Sequence, residues 1–132
     1  MKINHIDHVG IRVTDFTRAT RFYEKLGFLT ISESLDEHVV EVRHPSGITL
    51  NFLDSANNTH DHQNILMDVA NKYPGYTHYA MNVDSIEDVV HFLELNQIEI
   101  TEGPVTFGNG HTSVFVRDPD LNVIEFTYAP AA

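Results

Sequence analysis

Hydrophobic and polar residues alternate over 4–13 with the period of two that is typical of a β-strand. The apolar residues of this segment fall on one face of the strand, while His8 and Arg12 fall on the other. The same alternation returns over 76–83, where His78 takes the place that His8 has in the first segment. The pattern therefore predicts two related strands, each with an apolar face and a face that carries a histidine.

Each predicted strand is followed by apolar residues at helical spacing. The first helix is predicted to begin after a cap at Asp15 and to end near Leu26, where Gly27 suits a helix terminus. The second helix is predicted to bury its apolar side from Ile86 to Leu95. Further strands are predicted from short alternating runs, at 28–34, 38–43, 48–53, 98–101, 112–116 and 123–127. A linker spans 54–74 and has room for a short helix at 65–73.

The chain contains two copies of one turn-and-strand segment, one in each half of the sequence. Val42–Phe52 reads VRHPSGITLNF and Val116–Phe126 reads VRDPDLNVIEF, with the Val, Arg, Pro and final Phe identical. The residue before that Phe is Asn51 in the first copy and Glu125 in the second. Together with the duplicated strand and helix, the match predicts one α+β domain over 1–132, built from two β-α-β-β-β modules at about 4–54 and 75–128.

Composition narrows the choice of partners. The 132 residues carry 19 acidic and 8 basic side chains, a net charge of −11, which repels nucleic acid and anionic lipid. The absence of cysteine excludes a disulfide framework, a thiol nucleophile and a cysteine zinc site. The N-terminal residues lack the apolar core of a signal peptide, and no run is long enough to span a membrane. We therefore expect a cytoplasmic protein that binds neither nucleic acid nor a membrane surface.

Three segments resemble the vicinal oxygen chelate superfamily, which includes glyoxalase I, extradiol dioxygenases, and fosfomycin- and bleomycin-resistance proteins. They are HVGIRVTDFTRATRFYEKLGF from His8, THYAMNVDSIEDV from Thr77 and RDPDLNVIEF from Arg117. The resemblance implies a cupped mixed sheet with helices on its convex side and a divalent metal on its concave side. The family usually has glycine where this chain has Leu121, but Asn122 tolerates a left-handed conformation, so we expect the turn to survive.

The resemblance places the metal-binding positions at His8, Asn51, His78 and Glu125. Two imidazoles and one carboxylate also suit iron(II), manganese, nickel or zinc on chemical grounds, and leave open positions on the ion for a substrate. A lone histidine on a strand is more often an ordinary hydrogen-bonded side chain, but the equivalent placement in both repeats favours a site. We predict His8, His78 and Glu125 as the ligands, with Glu125 also as the catalytic base.

Asn51 separates this chain from glyoxalase I, which resembles it but has a carboxylate there that binds metal and moves a proton. A carboxamide does not transfer protons near neutral pH. The Asn51 oxygen could still approach a hard cation, but we predict that Asn51 is a hydrogen-bond donor to the substrate, or a spectator, rather than a metal ligand. The resulting ligand set is similar to that of extradiol dioxygenases and fosfomycin-resistance proteins.

Other residues favour one reaction or another. Arg12 matches a glyoxalase I arginine that holds a carboxylate of the thiol cofactor, although an ordinary salt bridge would also explain it. His60 and His62 lie near the acid/base histidine of extradiol dioxygenases, but Phe115 replaces the tyrosine of those enzymes. His111, in the Gly108–Gly110 loop, is a further candidate for contact with the substrate.

We predict a metal-dependent enzyme similar to lactoylglutathione lyase, a lyase or isomerase, with glutathione or another thiol as a possible co-substrate. The alternatives are an extradiol-type ring-cleaving dioxygenase, a fosfomycin-type thiol transferase, and a metal-free drug-binding protein of the bleomycin-resistance type. The exposed edges of four-stranded sheets lead us to expect a homodimer.

Overall fold

Each half of the chain folds into the same order of elements, as seen in a computed structural model that describes residues 1–57 and 63–131. The chain divides into two units, Met1–Asp61 and His62–Ala132. The first unit contains β1 (Val9–Arg12), α1 (Phe16–Lys25), β2 (Leu29–Ser34), β3 (Val39–Arg43) and β4 (Thr49–Leu53). The second contains β5 (His78–Asn82), α2 (Ile86–Leu95), β6 (Ile100–Thr106), β7 (Thr112–Arg117) and β8 (Val123–Tyr128). The predicted α+β class and the duplicated β-α-β-β-β order are confirmed.

The two sheets have the same topology. The strand order is β1-β4-β3-β2 in the first unit and β5-β8-β7-β6 in the second. In each sheet the first and last strands of the repeat are parallel neighbours, and the remaining pairs are antiparallel. This arrangement puts the predicted histidine strand directly beside the strand that carries Asn51 or Glu125.

One face of each sheet is covered by the helix of its own unit. In the first unit Tyr23 of α1 is fully buried, and the centre of its ring lies 5.0 Å from that of Phe52 in β4. In the second unit Leu93 of α2 is buried over the strands that carry Ile124 and Val114. Successive strand residues alternate between faces, so Asn51 and Glu125 point away from this apolar core. We call the face opposite the helix the polar face of each sheet.

Both helices begin at capped positions. Asp15 accepts a hydrogen bond from the backbone N–H of Thr17 at 3.1 Å, which confirms the predicted cap of α1. Ser85 accepts one from the N–H of Asp88 at 3.1 Å at the start of α2. Such caps satisfy backbone donors that have no partner inside the helix. No helix in the described ranges is long and apolar enough to cross a membrane.

Three predictions about individual elements were wrong. The first strand begins at Val9 rather than near Asn4, and its pairing with β4 starts at Val9 and Leu50. The helix suggested for 65–73 is a turn, in which Asn64 accepts the N–H groups of Leu66 and Met67. Strand β6 extends to Thr106 and includes a cis Gly103-Pro104 peptide; a side chain at Gly103 would lie 2.5 Å from the backbone oxygen of Ser113.

The turn between β7 and β8 is present, as predicted, and one of its residues is left-handed. Leu121, not Asn122, has the left-handed conformation, with φ of 66°. Its counterpart in the first copy of the segment is Gly47, with φ of 99°. Asp118 accounts for this choice, because its Oδ1 accepts the backbone N–H groups of both Asp120 and Asn122 at 2.9 Å. These bonds fix the residues on either side of Leu121 and offset its backbone strain of about 1–2 kcal/mol.

Candidate functional site

The polar face of the second sheet carries a histidine and a carboxylate in direct contact. His78 is the first residue of β5, and Glu125 lies at the centre of β8, opposite Ala80. The Nε2 atom of His78 is 3.0 Å from Oε1 of Glu125. Only 13% of the Glu125 side chain is exposed, against 35% for His78. The register of parallel strands thus brings together two residues that lie far apart in the sequence.

A buried serine forms a hydrogen bond with the other carboxylate oxygen of Glu125, Oε2. Ser113 Oγ lies 2.9 Å from Oε2 of Glu125 and 2.9 Å from Oγ1 of Thr127, and Ser113 is fully buried. A hydroxyl has one proton, so Ser113 donates to the acceptor-only carboxylate and accepts from the Thr127 hydroxyl. This chain of bonds fixes the carboxylate with Oε1 directed towards His78.

Phe115 completes the surroundings of His78. It is the cross-strand neighbour of Glu125 and meets the His78 ring edge-on, with ring centres 5.8 Å apart. Phe115 occupies the position where the resemblance to extradiol dioxygenases requires a tyrosine. The group beside the imidazole is therefore an apolar ring, which has no hydroxyl to share with a substrate.

The geometry of His78 and Glu125 fits two positions on a divalent ion. Ligand atoms about 2.1 Å from an octahedral ion and at right angles to each other lie about 3.0 Å apart. That spacing matches the separation of His78 Nε2 and Glu125 Oε1. Within residues 1–57 and 63–131, no group of three or more His, Asp or Glu side chains is placed to hold a metal. His8 belongs to the other unit, and the three-ligand set remains a prediction.

The polar face of the first sheet begins with His8. This residue stands directly before β1, and its Nδ1 atom lies 2.8 Å from Oδ2 of Asp7. The hydrogen bond from His8, and then the charge of the imidazole, lower the pKa of the Asp7 carboxyl below its ordinary value. Asp7 thus remains a negatively charged acceptor for the ring.

Asn51 has a buried acceptor atom that nothing in its own unit satisfies. Its Oδ1 atom is buried and has no hydrogen-bond partner among the described residues. Such an atom costs about 1–3 kcal/mol unless a ligand supplies a donor or a cation. Asn51 pairs with Gly10 on one side and Glu41 on the other, so all three lie on the polar face. The structure therefore associates Asn51 with an acceptor role at this face.

Glu41 is a carboxylate that the sequence analysis missed. Its side chain is 29% exposed, and its contact with Arg43 is long, at 4.0 Å. In the second repeat the equivalent position, beside Glu125, holds Phe115. The cross-strand neighbour is thus a carboxylate in the first repeat and an apolar ring in the second. The signal was available in the alignment of the two copies, which places Glu41 on Phe115. Ser113 was also missed, because a serine in an apolar strand gives no sign of its cross-strand partner.

The remaining predicted residues lie in different places. Arg12 ends β1 on the polar face, and its Nε donates to Ser55 Oγ at 3.0 Å. His111 lies in the loop between β6 and β7, where its backbone N–H donates to Asn109 Oδ1. His62 lies outside the described residues. Contacts of these side chains with a substrate remain predictions.

A groove of about 770 Å³ lies on the other side of the second sheet. Glu87 and His91 of α2 line it, together with Thr112 and Tyr128, which share the helix-covered face of the sheet. Neither His78 nor Glu125 lines this groove. It is therefore separate from the candidate site.

Comparison with known proteins identifies related sequences and folds. A family model for the Glyoxalase/Bleomycin resistance protein/Dioxygenase superfamily matches residues 5–126. The chain is 31% identical to virulence protein STM3117 of Salmonella typhimurium, over 96% of this chain and 85% of that protein. It is 29% identical to an integron cassette protein of V. cholerae, with a TM-score of 0.70 and 98% of both chains covered. Lactoylglutathione lyase from Agrobacterium tumefaciens has the same fold, with a TM-score of 0.69, 19% identity, and 97% of this chain and 96% of that chain covered.

Proposed function

Because the chain belongs to the glyoxalase/bleomycin resistance protein/dioxygenase superfamily, we propose that it is a divalent-metal-dependent lyase or isomerase. Its substrate is a small molecule with two adjacent oxygen atoms, as in a lactoylglutathione-lyase-like reaction. The observation that carries this proposal is the contact between His78 Nε2 and Glu125 Oε1 at 3.0 Å. A nitrogen and an oxygen at this separation are compatible with two adjacent positions on one ion.

His8, His78 and Glu125 are the proposed ligands, and iron, manganese, nickel or zinc is the proposed ion. The ion would act as a Lewis acid on the substrate oxygens. Two imidazoles and one carboxylate leave residual positive charge, which favours an anionic bidentate substrate. Asn51, with its unsatisfied Oδ1, would accept a hydrogen bond from a substrate hydroxyl.

Glu125 is the proposed base. Ser113 holds Oε2 of Glu125, so Oε1, which is also the proposed metal-binding atom, would leave the ion to take a proton. An isomerisation needs one proton removed from a carbon next to a carbonyl and returned to the neighbouring carbon. Glu125 Oε1 would perform both transfers, and no external oxidant or reductant is consumed. Arg12 would bind a carboxylate of the thiol co-substrate, glutathione or a related thiol.

Phe115 favours this reaction over ring cleavage. The residue against the His78 ring is a phenylalanine, whereas extradiol dioxygenases carry a tyrosine at the matching position. The absence of that hydroxyl removes a group on which the dioxygenase assignment depends.

Metal titration tests the proposal. Calorimetry with manganese, nickel, zinc and anaerobic iron should show binding to the wild type and its loss in His8→Ala, His78→Ala and Glu125→Ala. His91→Ala, on the exposed side of α2, is the matched control and should bind like the wild type. Unchanged affinity in all three ligand variants would remove the site.

Activity assays then separate the reaction classes. We expect turnover of a glutathione hemithioacetal of a 2-oxoaldehyde and no oxygen uptake with catechol. Oxygen-dependent ring cleavage would favour the dioxygenase, and tight binding of a cationic aromatic drug by metal-free protein would favour the resistance type. The expected homodimer stays a prediction, which light scattering at micromolar concentration tests.

A further inference from the structure

The groove beside α2 has no role in the proposed reaction, and we call it the α2 groove. Its volume of about 770 Å³ lies within the range of about 300–1,000 Å³ that is usual for small-molecule sites. One wall is a face of α2, and the other is formed by Pro104, Thr112 and Tyr128 of the sheet. All of its described lining residues belong to the second unit, so the groove is complete within that unit.

The α2 groove has an apolar base and an acidic rim. Val90 of α2 and Tyr128 of β8 are half-buried, whereas Asp84, Glu87 and Glu94 are exposed. No lysine or arginine is among the described residues that line the groove, and the sequence has none from 73 to 116. A molecule that complements this surface therefore combines positive charge with an apolar body.

The C-terminal end of α2 favours a cation beside Glu94. The last carbonyl groups of a helix carry partial negative charge, so an acidic side chain there is unfavourable and a cation is favourable. The last turn of α1 contains Lys25, whereas the last turn of α2 contains no basic residue. The alignment of His8 on His78 also places Lys25 on Leu95. The second repeat thus lacks the positive charge of the first, and a bound ammonium group would supply it.

The spacing of the carboxylates favours an extended cation over a single metal ion. Glu87 and Glu94 lie on one face of α2, seven residues apart, which corresponds to about 10.5 Å along the helix axis. Within residues 1–57 and 63–131, no three His, Asp or Glu side chains are placed to hold one ion. Two ammonium groups joined by methylene groups match both the separation of the carboxylates and the apolar surface between them.

We propose that the α2 groove binds a linear aliphatic diamine or polyamine. One ammonium group pairs with Glu94 and a second with Glu87, while the methylene groups between them cover Val90 and Tyr128. Asp84 provides a position for the third ammonium group of a longer polyamine. This site is independent of the proposed metal-dependent reaction, because neither His78 nor Glu125 lines the groove.

Calorimetry with three simple amines tests the paired charges. A diamine with eight methylene groups spans about 11 Å between its nitrogens when extended, close to the separation of Glu87 and Glu94 along α2. It should bind about threefold to fivefold more tightly than octylamine, which has one charge and can form only one of the two ion pairs. A diamine with three methylene groups should bind more weakly still, because it loses one ion pair and most of the apolar contact.

Charge variants locate the site. Glu94→Lys places a cation in the groove and should weaken binding of the eight-methylene diamine at least about tenfold, since it replaces an attraction by a repulsion. Glu99→Lys is the matched control, because Glu99 is exposed, does not line the groove and undergoes the same change in charge. Glu87→Gln removes one carboxylate without adding a cation and should bring the affinity for the diamine close to that for octylamine. Circular dichroism checks that each variant is folded.

Each outcome supports or overturns the proposal. Absence of diamine binding by the wild type at millimolar concentration would overturn it, as would equal affinity in Glu94→Lys and Glu99→Lys. Equal affinity of the wild type for the diamine and for octylamine would show that the two carboxylates do not act as a pair. Displacement of the diamine by magnesium chloride, but not by sodium chloride of the same ionic strength, would make the groove a metal-ion site instead. Tighter binding of a lysine-rich peptide than of the diamine would make it a protein-binding surface.

Discussion

Replacement of Ser113 by alanine tests how firmly the fold holds the Glu125 carboxylate. Ser113 is fully buried and contacts Glu125 Oε2 and Thr127 Oγ1, each at 2.9 Å. A hydrogen bond to a charged group contributes about 1.5–3 kcal/mol, and a neutral one about 1 kcal/mol. Because Glu125 keeps its contact with His78, we expect Ser113→Ala to lower the free energy of unfolding by about 2–3 kcal/mol.

A matched variant separates the two bonds of Ser113. Thr127→Val removes the hydroxyl that donates to Ser113 and leaves the bond to Glu125, so we expect a loss of only about 1 kcal/mol. In the double variant Ser113→Ala/Glu125→Gln, the effects should add incompletely, because the charged bond is already gone in either single variant. This coupling identifies the charge on Glu125 as the main source of the stabilisation.

Two measurements apply to these variants. Urea denaturation followed by circular dichroism reports the stability of the chain, and amide hydrogen exchange in β7 and β8 reports the local effect. Zinc affinity should also fall in Ser113→Ala, because Glu125 loses the bond that orients Oε1. A change in stability below about 0.5 kcal/mol, with unchanged zinc affinity, would refute the view that Ser113 holds the carboxylate.

Three further variants test other parts of the structure. Leu121→Gly should stabilise the protein by about 0.5–1 kcal/mol, since glycine adopts a positive φ without strain; a loss of stability in thermal unfolding would show that the leucine side chain matters more. The hydrogen bond to Arg117 lowers the pKa of the Asp68 carboxyl from its ordinary value of 3.8. The pair therefore stabilises the fold fully at pH values above 3.8, and this stabilisation is lost as the pH falls through the lower pKa of the folded state. Asp68→Asn should therefore destabilise the protein at pH 7 but not near pH 2, and an equal effect at both would contradict the linkage. Asn51→Glu should add a metal ligand and weaken a hydroxamate probe, whereas Asn51→Ala should leave metal affinity nearly unchanged; if Asn51→Ala loses metal as Glu125→Ala does, Asn51 is itself a ligand.

The duplicated fold could be predicted because its evidence is local. Alternation with a period of two assigns His8 and His78 to the polar face of a strand regardless of what the strand pairs with. The identical Val and Phe residues of the two copies are buried in both units, where they pack beneath a helix. The helix caps at Asp15 and Ser85 also depend on nearby residues alone, since each side chain accepts a hydrogen bond from a backbone N–H within the first turn of its helix.

Boundaries were less predictable, because they depend on a partner. Strand β1 begins only at Val9, where its pairing with Leu50 of β4 starts. The left-handed residue of the last turn is Leu121, because the Asp118 carboxylate binds the backbone on both sides of it. Conformational propensity alone would favour Asn122 over Leu121 as the left-handed residue. The side chain of Asn64 also donates to the Leu121 carbonyl at 3.0 Å, a tertiary contact that holds Leu121 in this conformation.

The sequence by itself determined the repeat, the faces of the strands and the chemical types available at the site. Only the tertiary structure decided which of these groups meet. Antiparallel register places Glu41 opposite Asn51 and puts Ser113 diagonally across from Glu125. Phe115 lies against His78 because β8 pairs with β7 on one side and with β5 on the other. Register is set by turns and by burial of the opposite face, so it joins residues that the sequence does not mark as partners. For that reason the candidate ligands could be predicted from the sequence, whereas the residues that hold and surround them could not.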